Sequence, residues 1–315
     1  MFNNQFLHKD AELRFFVFLA LGLSLLVVSS YVLGSRVERG DTSAPTERAS
    51  VPFPEVTLQA RAAYVYDART NAVLYAKNEN TRMPLASLTK VMAALVAREL
   101  SPEYGTVTVT RESLEPTGDS GLLVGERWSL KDLLDFSLIT SSNDGMRTVA
   151  LSLGALQSSN ANPRERVDDF VNEMNKKATA LDLKNTYFWN ETGLDESEYK
   201  GGAYGTARDM AHLMDYITRY YPEALLATRE PLSSISSMDN IAHEAKNTNT
   251  LAGFIPGLKA SKTGYTNTAG GNLVFVFDPE LGRPIVITIL GSTEKGRFED
   301  AKLLIEATLK YINQN

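Results

Sequence analysis

The chain has 315 residues, 43% hydrophobic and 22% charged, enough to bury a sizeable core. A net charge of −6 leaves no electrostatic footprint for nucleic acid, so no nucleic-acid partner is expected. The absence of cysteine excludes disulfides and thiolate metal sites, and His8, His212 and His243 are too few for a multi-histidine zinc centre, so no metal or other cofactor is expected.

From Phe15 to Leu33 the run FFVFLALGLSLLVVSSYVL carries no charge and is long enough to span a bilayer. Residues 1–14 then read as a short cytoplasmic N-terminus, 15–33 as a transmembrane anchor and 34–54 as a stalk rich in Pro, Ser and Thr. A cleaved signal peptide is the alternative, but Val32-Leu33-Gly34 matches a small-x-small cleavage site poorly. The expected placement is a single-pass protein of the cell membrane, with residues 55–315 as an extracytoplasmic catalytic domain.

Within that domain Ala62–Tyr66 and Val73–Ala76 read as two strands joined across a polar turn. A helix begins near Ser87, with Leu88, Val91, Met92, Leu95 and Val96 forming one apolar stripe. Ser129 is placed to cap a helix carrying Leu133, Leu134 and Leu138. Asn162-Pro163 opens another, with Val167, Phe170, Val171, Met174 and Ala178 facing inward. Thr206 caps a third through Met210, Leu213, Met214 and Ile217. Strands return at Lys262–Thr266, Asn272–Phe277 and Pro284–Leu290, with connections short enough for antiparallel pairing, before a final helix from about Glu299 to Ile312. Strands at both ends of a helical middle predict an α+β domain whose terminal strands share one sheet.

Three short motifs carry the chemistry. Ser87-Leu88-Thr89-Lys90 places a hydroxyl and an amine three residues apart at a helix start, on one face. Serine needs its proton removed before it attacks, and a buried lysine with a lowered pKa is able to take it. Ser141-Ser142-Asn143 interrupts two helical stretches, where Ser141 is able to relay a proton and Asn143 to donate to a carbonyl. Lys262-Thr263-Gly264 opens a strand, offering a cation and a hydroxyl to a carboxylate and a glycine against which a peptide backbone lies close. Each is weak alone: a Ser-x-x-Lys arises by chance about once in such a chain. A plain N-cap, a polar helix turn and an edge lysine are the simpler readings of the three.

Together and in this order the motifs resemble those of the low-molecular-weight penicillin-binding proteins, the serine-type D-Ala-D-Ala carboxypeptidases. Phe170–Asn175, Phe188, Asn190, Gly193-Leu194, Thr206–Ala211, Asn247-Thr248-Asn249, Ala269-Gly270 and Leu290-Gly291 extend the match from about Arg61 to Tyr311. The resemblance implies a β-lactamase-like fold: an antiparallel sheet flanked by helices, with an all-helical subregion. It implies that Ser87 forms an acyl-enzyme with the penultimate D-Ala of peptidoglycan stem peptides, and that β-lactams inhibit covalently. Lys90 is then the base, Ser141 and Asn143 complete the proton relay, Lys262 and Thr263 hold the terminal carboxylate, and the N–H groups of Ser87 and Tyr265 form the oxyanion hole.

A β-lactamase, an endopeptidase of the same fold and a non-catalytic penicillin sensor are the rival readings. Ser142, where class A β-lactamases usually carry Asp, argues against the first, as does the lack of a matching deacylation loop around Glu191. The intact trio argues against the sensor. His212 falls within a helix and His243 reads as a surface residue, so a Ser-His-Asp arrangement is not expected. Arg297 is left outside the expected site.

Overall fold

A computed structural model of the chain describes residues 51–156 and 162–315. Ala62–Asp67 (β1) and Ala72–Lys77 (β2) form the first hairpin, and the short strand Met83–Pro84 (β3) leads through a turn into helix Thr89–Leu100 (α1). Thr106–Thr108 (β4) and Arg127–Ser129 (β5) pair antiparallel, followed by helices Leu130–Thr140 (α2), Asn143–Gly154 (α3) and Pro163–Ala180 (α4). Tyr187–Phe188 (β6) and Ala203–Gly205 (β7) join β3 in a three-stranded sheet, and Ala207–Tyr220 (α5) follows. A hairpin of Leu232–Ser236 (β8) and Ala242–Lys246 (β9) precedes the long strands Leu258–Thr266 (β10), Gly270–Phe277 (β11) and Ile285–Ser292 (β12), and Gly296–Gln314 (α6) ends the chain.

The main sheet has the order β10-β11-β12-β1-β2, with every pair antiparallel. The terminal strands meet as expected: Ala62 stands opposite Leu290 and Asp67 opposite Ile285. Because successive side chains alternate faces, the inner strands β1, β11 and β12 feed two cores. Ala63, Val65, Leu273, Phe275, Ile287 and Ile289 pack against Ala301, Leu304 and Ile312 of α6. Tyr64, Tyr66, Val274, Val276 and Val286 face Met210, Leu213 and Ile217 of α5 and continue into the helical region. The result is the expected α+β fold.

The helix starts follow their capping residues. Ser129 Oγ accepts from Asp132 N–H at 3.1 Å, Thr206 Oγ1 from Asp209 N–H at 3.0 Å, and Asn162 forms a capping box with Glu165 ahead of Pro163. In α1, Val91, Met92 and Leu95 are fully buried, each contributing about 1.5–3 kcal/mol relative to exposure. The predicted start at Ser87 differs in detail: Ala86–Leu88 is a single 3₁₀ turn and the α-helix begins at Thr89.

Three expectations need correction or fall elsewhere. The run 15–33, and the stalk up to residue 50, lie outside the described residues. Among the described residues no helix is long and apolar enough to cross a membrane, because the longest, α4 and α6, carry charged faces. The expected single-pass placement in a cell membrane is corrected accordingly. The β8–β9 hairpin has no counterpart in the predicted elements, since its strands LSSIS and AHEAK are mostly polar. Nor is His243 a surface residue. Its Nε2 lies 2.7 Å from Glu126 Oε1, and its ring packs on Trp128 and Phe136.

Candidate active site

Ser87 owes its position to a constrained turn. Leu85 N–H donates to Ala203 O at 3.0 Å, tying the end of β3 to β7. Ala86 then takes a left-handed conformation, φ 48°, which is uncommon for a residue with a Cβ. Thr89 Oγ1 donates to Ala86 O at 2.7 Å, and Gly193 lies against the same carbonyl, so that a Cβ there would sit 1.9 Å from it. The turn is clamped from both sides, and Ser87 projects from it towards α1.

Lys90 lies one turn along and is fully buried. Its Nζ donates to Ser87 Oγ at 2.9 Å, to Asn143 Oδ1 at 2.8 Å and to Thr192 O at 2.9 Å. Burial disfavours the ammonium and lowers its pKa to about 7; the nearby Glu191 carboxylate opposes that fall. Glu191 is itself fully buried and accepts from Arg147 Nε at 2.6 Å.

The second motif sits at the junction of α2 and α3. Ser141 terminates α2 in a left-handed conformation, φ 63°, and its Oγ accepts from Lys262 Nζ at 2.9 Å. Ser142 caps α3 by accepting from Gly145 N–H at 2.9 Å, and its Oγ lies 2.6 Å from Ser120 Oγ. Asn143 places its oxygen on Lys90 while its amide donates to Thr117 O at 2.7 Å, leaving one amide N–H for another acceptor.

The third motif lies on the edge strand β10. Lys262 is almost fully buried, and burial, with the cations Lys90 and Arg297 nearby, holds it well below the ordinary lysine range. Thr263 Oγ1 lies 2.5 Å from Thr248 Oγ1. At Gly264 an added Cβ would lie 2.9 Å from Leu85 O and 3.1 Å from Ser87 N. Absence of a side chain there lets β10 close onto the Ser87 turn. Tyr265 follows, half exposed at the mouth.

Thus the eight sequence-expected residues are drawn together: Ser87, Lys90 and Asn143 through one amine, Ser141 and Lys262 through another, and Gly264 beside the Ser87 backbone with Thr263 and Tyr265 on either side of it in β10. Sequence reasoning left out four supporting groups. Arg297 is buried and donates to Gly264 O at 2.7 Å, Thr248 touches Thr263, and the Arg147–Glu191 pair stands behind Lys90. The run Asn247-Thr248-Asn249 was the one signal for Thr248. For Arg297 the signal was its place in Lys295-Gly296-Arg297, where the family often has a basic residue near the site. Among the described residues, no group of three or more His, Asp and Glu is placed to hold a metal ion.

A serine hydroxyl bonded to a buried amine of lowered pKa, with a second lysine–serine pair opposite, defines a serine acyl-transfer centre that works without histidine. The family model for D-alanyl-D-alanine carboxypeptidase matches residues 46–292, and the chain belongs to that family. It is 32% identical over 279 residues to the D-alanyl-D-alanine carboxypeptidase DacF of Bacillus subtilis, covering 86% of this chain and 67% of that one. It is 30% identical over 255 residues to a D-alanyl-D-alanine endopeptidase of Pseudomonas aeruginosa, covering 79% and 77%. Among solved structures it resembles ampicillin-bound penicillin-binding protein D2 of Listeria monocytogenes, with TM-score 0.67, 29% identity and coverage of 81% and 98%. It also resembles the D-alanyl-D-alanine carboxypeptidase of Mycobacterium tuberculosis, with TM-score 0.70, 26% identity and coverage of 84% and 95%.

Proposed function

We propose that this chain is a serine D-Ala-D-Ala carboxypeptidase that removes the terminal D-Ala of peptidoglycan stem peptides through an acyl-enzyme on Ser87, with residues 55–315 as its catalytic domain. β-Lactams acylate the same oxygen. The observation that carries this reading is the position of Lys90 Nζ, 2.9 Å from Ser87 Oγ with a pKa lowered to about 7. Near neutral pH a large fraction of that amine is free of its third proton and able to act as a base.

The steps follow from the contacts. Lys90 takes the Ser87 proton as Oγ attacks the carbonyl of the penultimate residue, and the N–H groups of Ser87 and Tyr265 receive the developing oxyanion. Ser141, held by Lys262 at 2.9 Å, gives its hydroxyl proton to the leaving nitrogen as the peptide C–N bond breaks and D-Ala departs, and takes in its place the proton that Lys90 removed from Ser87, which frees the Lys90 amine. Water then attacks the Ser87 ester, giving its proton to the Lys90 amine, which returns that proton to Ser87 Oγ as the acyl C–O bond breaks and the shortened peptide leaves as its carboxylic acid. Lys262 and Thr263 hold the terminal carboxylate. An arriving carboxylate opposes the push that burial and the neighbouring cations exert on Lys262 and favours its ammonium form, so binding strengthens the contact.

An endopeptidase acting on cross-links is the second reading, favoured by the Pseudomonas relative of that name. Incubation with a labelled penicillin over hours tests the first. Rapid labelling with slow release supports the peptidase, rapid turnover of the drug indicates a β-lactamase, and no label overturns Ser87 as nucleophile.

A further inference from the structure

The three-stranded sheet next to the Ser87 turn has an outward face that the peptidase chemistry does not use. Its order is β3-β7-β6, with Pro84 opposite Tyr204 and Tyr204 opposite Tyr187. Cross-strand partners share a face, and Trp189, two residues beyond Tyr187, falls on the same one. The opposite face, with Met83, Phe188 and Ala203, is buried in the main core. The outward row is aromatic, with Tyr187 44% and Trp189 37% exposed and Tyr204 half-buried. The rings hold one another edge to face, with Tyr187–Trp189 centroids 4.6 Å apart and Trp189–Tyr204 centroids 5.7 Å apart. Lys200 Nζ lies 4.5 Å from the Trp189 centroid and the Arg82 guanidinium 5.6 Å from that of Tyr204. Neither cation makes an ion pair with a carboxylate among the described residues.

We propose that this row, Tyr187, Trp189 and Tyr204 flanked by Arg82 and Lys200, is a carbohydrate platform that seats the glycan strand carrying the stem peptide. The inference rests on the reading of the Ser87 centre as a peptidoglycan peptidase. Pyranose rings present flat C–H faces that pack on aromatic rings, and their hydroxyl and N-acetyl oxygens accept from cationic N–H groups. The reach agrees. Pro84 is three residues from Ser87, and Trp189 three from Thr192, whose carbonyl holds Lys90. Three residues span at most about 11 Å. A stem cut after its fourth residue places its sugar at most about 14 Å from the scissile carbonyl. A membrane surface is the competing occupant, since Tyr, Trp, Lys and Arg also gather at lipid interfaces. The row presents no Leu, Ile or Phe for insertion, and its rings hold one another edge to face, which favours the sugar.

Two measurements on the full chain decide the matter. Trp128 is fully buried, so of the two tryptophans Trp189 is the one placed to report binding at the surface. Titration with soluble glycan strands stripped of peptide should change its fluorescence saturably, and no change would overturn the platform whatever the enzyme's activity. Saturable binding without any D-Ala release would keep the platform and overturn the peptidase reading instead. In Tyr187→Ala and Trp189→Ala, KM for a pentapeptide attached to the disaccharide should rise about three- to tenfold. Both KM and kcat for the same free pentapeptide, and penicillin acylation, should stay unchanged. Equal effects on both substrates, or none, would overturn the proposal. So would loss of binding to anionic lipid vesicles with the glycan-linked KM unchanged, which assigns the row to a membrane.

Discussion

In the proposed mechanism the pKa of Lys90, lowered to about 7, should set how fast Ser87 is acylated at each pH. If the neutral amine is the base, the acylation rate tracks its deprotonated fraction. That fraction is about 0.1 one unit below the pKa and about 0.9 one unit above it, so acylation should fall roughly tenfold from pH 8 to pH 6. The sign follows from the cause. Burial penalises the ammonium, so protonation is delayed to low pH, and activity is present above the folded pKa and lost as pH falls through it. Glu191 works against burial, and Glu191→Gln removes the opposing charge. The acid limb should then move to lower pH, and the variant should outpace the wild type at pH 6 relative to each protein's own plateau. The assay is stopped-flow acylation by a fluorescent penicillin across pH 5–9, with circular dichroism to show that the fold survives. A flat profile between pH 6 and 8 would refute a neutral Lys90 as base, and a limb near the ordinary lysine value would refute the lowering of its pKa by burial. A limb that rises in Glu191→Gln would refute the electrostatic role of the carboxylate.

Lys90→Arg keeps the charge and cannot give up its proton, so acylation should fall by roughly 10²–10⁴-fold while the thermal unfolding profile remains cooperative. A rate within about tenfold of wild type would contradict the role. An amide-capped D-Ala-D-Ala peptide should be cleaved about ten- to a hundredfold more slowly than the free acid, because it forfeits a charged hydrogen bond of roughly 1.5–3 kcal/mol at Lys262 and Thr263. Equal rates, measured as released D-Ala or its amide, would favour the endopeptidase. Gly264→Ala forces a Cβ to 2.9 Å from Leu85 O and 3.1 Å from Ser87 N, so β10 must retreat from the nucleophile. A misplacement of about 1 Å at a reacting centre costs on the order of 10²-fold, so acylation should drop by about that amount; an unchanged rate would show that the turn moves freely.

The elements that were legible in the sequence are those whose causes are local. Leu88, Val91, Met92 and Leu95 repeat at helical spacing, Ser129, Asn162 and Thr206 cap their own helices, and Ser87 and Lys90 are one turn apart. The illegible parts depend on partners far along the chain. His243 looks solvated in a polar run because Glu126, Trp128 and Phe136, which enclose it, lie more than a hundred residues earlier. Arg297 stands between the two kinds: Lys295-Gly296-Arg297 falls where the family often has a basic residue near the site, but the partner that fixes it there is a backbone carbonyl, Gly264 O, for which no side-chain type is a signal. The convergence of the three motifs belongs to this second kind. Ser141 and Lys262 are 121 residues apart, and what joins them is the register of an edge strand held against a strained turn. A sequence displays the groups such a site needs but not the clamp that keeps two buried lysines near their serines. Gly193 below Ala86, and Gly264 beside Ser87, supply that clamp by having no side chain. Burial then lowers both lysine pKa values, so the same close packing that fixes the geometry also adjusts the chemistry. Loosening the clamp should therefore weaken acylation twice, by distance and by restoring the Lys90 proton, and a variant such as Gly193→Ala should show a slower plateau together with an acid limb displaced to higher pH. A slower plateau with the limb unmoved would separate the two effects and show that packing sets only the distance.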